Sequence, residues 1–164
     1  MFILKIHTLG KDGAGESLAS GHNMSNLSRR EARETLLTLL FESEFRADED
    51  YREIYATSSE ERLIPEDPYI KNAYYKIFEN RETIDGVIGK HAKGWKTSRL
   101  SKISRSVLRL GVYEMLYEAE IPFSVTINEA VELSKKFDEP RARSFINGVL
   151  NAVKDELVAE GSQK

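Results

Sequence analysis

The chain contains no cysteine, which excludes a disulfide framework, thiol catalysis, an iron–sulfur cluster and thiolate-bound zinc. Such a composition suits a reducing compartment, and a cytoplasmic location is expected. Histidine is nearly as scarce. His7, His22 and His91 are the only three, and no His/Asp/Glu spacing resembles a metal site, so neither a metal nor another cofactor is expected. No apolar run approaches the ~18 to 20 residues that a membrane span needs. Met1-Phe2-Ile3-Leu4 is too short for a secretory core, so no membrane association is expected. Alternation of apolar and polar residues between hairpin turns is also missing, which argues against a sheet.

What is present is a chain of 164 residues, 40% of them hydrophobic, long enough to bury one substantial core without staples. The formal charge is 24 − 27 = −3, but the sum hides segregation. Glu42 to Asp67 holds ten carboxylates against three arginines, whereas Gly89 to Arg109 holds seven Lys/Arg and no carboxylate. The first region repels phosphate and the second attracts it.

Residues 1–23 are rich in Gly and Ser and poor in large apolar side chains after Leu9, so they are expected to be a disordered leader or a non-native extension. Lys11-Asp12-Gly13-Ala14-Gly15 lacks the spacing of a phosphate loop. Residues 24–164 are read as one helical domain, with an N-terminal half over about 28–94 and a C-terminal half over about 95–158.

Helix signals are dense from Ser28 onward. Ser28-Arg29-Arg30-Glu31 is a capping-box pattern, and Ala32, Leu36, Leu39 and Leu40 follow as an apolar stripe. Asp67-Pro68 is a second start, with Asp as cap and Pro at the first helical position. The stretch from Leu100 to Ala119 is apolar around most of its circumference, which predicts a central helix with neighbours on several faces. Ile121-Pro122 stops it. Thr126-Ile127-Asn128-Glu129 is a second capping-box pattern, and Glu139-Pro140 precedes the last helix. The expected fold is all-α, with about seven helices joined by short connections.

No constellation of side chains suggests catalysis. His91 sits on the Ile84–Val87–Ile88 stripe and is read as structural, and the acidic run is read as a solvated face. The arginines are more informative. Arg29 and Arg30 lie in the first turn of a helix, where the macrodipole disfavours cations, so their placement makes sense if an anion binds there. Arg33 is one turn from Arg29 on the same face, and two readings stay open: the pair grips successive phosphates of one strand, or the arginines are solvated and pair with Glu31 or Glu34. Lys102, Arg105 and Arg109, spaced by three and four, form a candidate basic stripe near Trp95. Arg141, Arg143 and Phe145 form a third group, with a ring able to stack on a base.

Several longer motifs occur in order: Arg29-Arg30-Glu31-Ala32-Arg33-Glu34, Leu40-Phe41, Val107-Leu108-Arg109-Leu110-Gly111-Val112-Tyr113-Glu114, Ile127-Asn128-Glu129-Ala130-Val131-Glu132-Leu133, and Phe145-Ile146-Asn147-Gly148-Val149-Leu150. On these, the chain from Leu27 to about Val158 resembles the NusB transcription antitermination factors. The resemblance implies two packed three-helix groups with an extra helix, and a non-enzymatic role. It implies pairing with NusE, a small-subunit ribosomal protein, to bind the single-stranded boxA element of nascent RNA within the RNA polymerase antitermination complex, notably on ribosomal RNA. The family's RNA-binding role falls here on Arg29, Arg30 and Arg33, and on Arg141 and Phe145 at the start of the last helix, with Lys102 and Arg105 as further candidates. Arg141 stands where some relatives have an acid. Phe41 and Glu114 are the candidates for partner contact, and monomer and homodimer both remain open. Gly111 and Gly148 are expected to permit close helix approach, and Asn128 and Asn147 to satisfy buried backbone groups.

The alternatives differ in class. One is a protein-interaction scaffold with incidental RNA contacts, suggested by the net acidity. The other is an accessory domain of an RNA-modifying enzyme whose catalytic part is a separate polypeptide.

Overall fold

A computed structural model describes residues 27–94, 99–162 and 164; the leader, Trp95 and Lys96 lie outside the described residues. Seven α-helices and no strand occur among those described: α1 (Arg29–Ser43), α2 (Tyr51–Glu61), α3 (Pro68–Glu79), α4 (Arg81–His91), α5 (Lys102–Tyr117), α6 (Phe123–Phe137) and α7 (Ala142–Ala159). None is long and apolar enough to cross a membrane. The chain divides into two compact units between Asn72 and Ala73, ahead of the boundary near residue 94 that the sequence suggests.

In the first unit, α1 begins as its sequence dictates. The Ser28 hydroxyl accepts from the Glu31 amide at 3.2 Å, and the Glu31 carboxylate accepts from the Ser28 amide at 2.8 Å. That reciprocal pair satisfies two of the free donors every helix start carries. The Ser28 bonds hold the Glu31 carboxyl below its usual range. Leu36, Leu37, Leu39 and Leu40 bury the inward stripe of α1, and α2 packs against that helix. Asp50 caps α2 by accepting from the Arg52 amide. Asp67 caps α3 by accepting from the amides of Tyr69 and Ile70, with Pro68 at the first helical position as expected.

In the second unit, α5 is the central helix, packed by α4, α6 and α7. Ile103, Val107, Leu108, Leu110, Val112, Tyr113 and Met115 are all buried, which accounts for apolar residues on every side of it. Gly111 lets α7 come close: a Cβ built on it would lie 3.0 Å and 3.1 Å from the two Leu150 methyl carbons. Lys164 closes the other end of α5, donating to the carbonyls of Glu114, Met115 and Glu118 at 2.8–3.0 Å. A cation at those carbonyls also opposes the negative end of the helix dipole.

Three expectations fail in this unit. The pattern at Thr126 does not open a helix, because α6 starts at Phe123, immediately after Pro122, whose carbonyl already accepts from the amides of Val125 and Thr126. Thr126 is instead buried inside α6 and donates to the Glu114 carboxylate at 2.7 Å. Second, Asn128 and Asn147 are exposed rather than bonded to buried backbone. Third, Gly148 is exposed with nothing within 4 Å of where a Cβ would lie, so it serves no close approach within the chain.

The Thr126 contact carries a checkable consequence. Thr126→Val keeps the shape and removes a donor from a buried carboxylate. The expected loss is about 1–3 kcal/mol of stability, read as a lower urea midpoint at unchanged slope; an unaltered midpoint would show that Glu114 does not depend on that hydroxyl.

Candidate nucleic-acid interface

The basic residues singled out in the sequence separate once their surroundings are known. Arg29 and Arg30 are both exposed at the start of α1. The Arg29 guanidinium lies 5.3 Å from the centroid of the Tyr69 ring, within cation–π range. This holds the stem of Arg29 in place while its edge remains accessible to a phosphate. The capping box has already satisfied the adjacent amides of Ser28 and Glu31. An anion at this helix start would meet the two exposed guanidinium groups and the positive end of the dipole.

Arg33 departs from the sequence reading. It is only 4% exposed, so it is not available beside Arg29 to hold the next phosphate. The cause is the width of the buried face of α1, which takes in Ala32, Arg33, Leu36 and Leu37 together. A spacing of four places two residues on one side of a helix, but Arg29 precedes the packed part and Arg33 lies within it.

A similar separation breaks up the basic stripe of α5. Lys102 and Arg105 are half-exposed. Arg109 is 8% exposed and makes a two-pronged ion pair with Asp85 of α4, Nε to Oδ1 and Nη2 to Oδ2, both at 2.7 Å. Planar pairing of this kind is geometrically specific, and it commits Arg109 to joining α4 and α5. The run around Arg109 is thus a packing motif rather than a phosphate stripe.

At the start of α7, Arg141 is exposed, and Arg143 and Phe145 are half-exposed. Arg141 occupies the cap position, where no side chain accepts from the first amides. Arg141, Phe145 and Gly148 are spaced by four and three, which places them along one side of α7. This is the arrangement that stacking plus phosphate contact requires.

Of the two candidates for partner contact, Glu114 is fully buried and bonded to Thr126, so it has no surface to offer a partner. A charged residue in an otherwise apolar helix reads equally well as a surface contact or a buried acceptor, and only the position of α6 decides between them. Phe41 is half-buried. Its ring packs edge-on against Phe45, with centroids 5.0 Å apart, and Phe45 is 60% exposed. Phe45 was not anticipated as a surface residue, although its place four residues beyond Phe41 and past the leucine stripe was a usable signal.

His91 behaves as the sequence suggests. Its Nε2 approaches Glu156 Oε2 to 3.1 Å without hydrogen-bond alignment, beside a 2.6 Å contact from Lys90 to the same oxygen. The Lys90 bond is the main reason the Glu156 carboxyl is held below its usual range. The group ties α4 to α7. No cluster of three or more potential metal ligands occurs among the described residues.

Comparison with known proteins places these features in a common setting. Residues 30–155 match the model of the NusB family. The transcription antitermination protein NusB of Ruminiclostridium cellulolyticum is 44% identical over 138 residues, covering 83% of this chain and 95% of that one. A solved structure of T. maritima NusB superposes with a TM-score of 0.72 at 36% identity, over 80% of this chain and 94% of that one. A third match, with a TM-score of 0.70 and 30% identity over 78% of this chain and 96% of the other, comes from a crystal structure of antitermination factors NusB and NusE in complex with double-stranded RNA.

Proposed function

Because the chain belongs to the NusB family, we propose that it is an RNA-binding transcription antitermination factor that acts with NusE on the boxA element of nascent ribosomal RNA, as a non-enzymatic protein of the bacterial cytoplasm. The observation that carries the RNA contact is the exposed Arg29–Arg30 pair at a helix start whose neighbouring amides are already capped. At the positive end of the helix dipole each of these cations carries a small penalty, which a bound phosphate removes. In the second unit, Arg141 and Phe145 supply a phosphate contact and a stacking surface, and the half-exposed Lys102 and Arg105 are further candidates for phosphate. Support for RNA and NusE as ligands comes from the relative solved with both.

The protein partner answers a difficulty of charge. At a formal −3 the chain alone binds a polyanion only modestly, so affinity is expected to grow when a second protein adds contacts. The exposed Phe45 packed on Phe41 is the apolar anchor we assign to that partner, since aromatic side chains dominate the energetics of protein contacts.

The test is equilibrium binding to boxA and scrambled single strands, and to an RNA duplex, with and without NusE, across a salt series. The expected result is preference for the boxA single strand that strengthens with NusE and a logarithmic salt slope corresponding to several phosphates. Equal weak binding to all three RNAs in every condition would overturn the proposal in favour of a protein-interaction scaffold.

A further inference from the structure

Two helices of this chain end in the same way, with one difference. At the end of α7 the Gly161 amide donates to the Val158 carbonyl at 3.1 Å, and the Ser162 amide to the Leu157 carbonyl at 2.9 Å. At the end of α2 the Leu63 amide donates to the Glu60 carbonyl at 3.3 Å, and the Ile64 amide to the Ser59 carbonyl at 3.0 Å. This pair of bonds is a helix stop in which the residue after the cap takes a positive φ and is usually glycine. Gly161 has φ +96°, whereas Leu63 has φ +50° and is the only residue other than glycine with a positive φ among those described. A side chain at such a position costs backbone strain that glycine avoids.

Leu63 recovers none of that cost by packing, since it is 85% exposed. An exposed leucine is ordinary by itself, but one displayed from a strained backbone is not accounted for by folding. Its mounting is also rigid. Arg62, immediately before it, donates to the Glu42 carboxylate, which accepts as well from Ser58 at 2.9 Å and from Arg46 at 3.1 Å. Pro65 restricts the backbone ahead of it, and the Asp67 cap fixes the start of α3. A side chain held in place before contact loses little freedom on binding.

The surroundings describe the partner. Pro65 and Pro68 are exposed beyond Leu63, and Glu60, Glu61 and Glu66 are exposed around it. Such a rim repels RNA and suits a protein that sets an apolar pocket among lysines or arginines. NusE fits that description, because a partner that adds RNA contacts must itself carry positive charge. Glu42 also ties this loop to the Phe41–Phe45 pair, since it adjoins Phe41 and precedes Phe45 by three residues.

We propose that Leu63 is a second apolar anchor for NusE, displayed by the strained end of α2 and ringed by carboxylates that select a basic surface. This rests on the NusE pairing proposed above and extends its contact from the end of α1 to the loop between α2 and α3.

The experiment measures NusE binding to the full chain without RNA at low and high salt, boxA binding to the chain alone, and thermal unfolding. Leu63→Gly is expected to weaken NusE binding about tenfold while raising the thermal midpoint by about 2–4 °C, because glycine relieves the strain. These opposite signs separate a binding role from a folding role. Leu63→Asn tolerates the left-handed region but lacks the apolar surface, and a similar loss of binding is expected from it, which excludes loosening of the loop as the cause. The Leu63 loss should persist at high salt, whereas that of Glu60→Gln/Glu61→Gln/Glu66→Gln should be confined to low salt. Phe45→Ala serves as the control for NusE pairing.

If both Leu63 variants bind NusE as the parent does, the second anchor is wrong, and weakening in Phe45→Ala alone leaves the pairing standing. If the parent does not bind NusE, both fail together. A lowered midpoint in Leu63→Gly would make Leu63 a folding residue and overturn the anchor. Loss of boxA affinity in the Leu63 variants without NusE would give the loop to RNA and overturn it too. An unchanged low-salt affinity in the glutamine variant would also count against it.

Discussion

Arg109→Met is expected to destabilise the protein by about 2–3 kcal/mol, the largest effect of any single charged residue considered. The substitution keeps most of the volume and removes both bonds to Asp85. Breaking a buried pair by deleting one partner typically costs about 3–5 kcal/mol, because the remaining charge stays desolvated and unpaired. The lower figure applies because the Asp85 side chain is 28% exposed, and water can recover part of its solvation. A second variant isolates the cause. Arg109→Met with Asp85→Ala removes both charges, and it is expected to regain more than half of the loss, since an ion pair replaced by apolar groups is often nearly neutral. The measurement is the urea midpoint at constant slope for the parent, both singles and the double. If the double is as unstable as the two singles combined, Arg109 acts through packing of its stem rather than through its charge.

The second large effect concerns function. Arg29→Ala with Arg30→Ala is expected to lower affinity for boxA RNA by roughly tenfold to a hundredfold at low salt. The logarithmic salt slope should fall by about 1.4, the value for two phosphate contacts on a single strand. Thermal stability should stay near the parent's. Both residues are exposed, and two small terms oppose each other: removing cations from a helix start is favourable, while losing the Arg29–Tyr69 contact is not. Arg33→Ala provides the contrast, because its covered side chain predicts loss of stability before loss of RNA contact. An unchanged salt slope in the double variant would remove this helix start from the RNA-binding surface.

The two sets of variants also separate residues that are indistinguishable in the sequence. Arg29, Arg33 and Arg109 all lie in motifs that resemble the NusB family, and all look like candidates for phosphate. In the folded chain one is exposed, one is covered and one is paired with an aspartate. The same holds for Gly111 and Gly148. Both are helix-interior glycines in motif positions, but one meets Leu150 and the other meets open space.

The sequence by itself determined where α1 and α3 begin and which helix is central. Ser28 with Glu31, and Asp67 with Pro68, act on amides two or three residues away, so the information is local and survives without any neighbour. The apolar circumference of α5 likewise announced its burial, because no single face could be left in water without loss. Tertiary structure alone decided which charges face solvent and which cap pattern is used. The Thr126 pattern was locally sufficient, but Pro122 started α6 earlier and turned Thr126 toward Glu114. Arg109 became a structural residue only because α4 brings Asp85 beside it, and Asn147 became a surface group only because α5 and α6 pack the opposite side of α7. A helix position has a fixed direction relative to its own axis, but whether that direction leads to water or to another helix depends on segments far away in the chain.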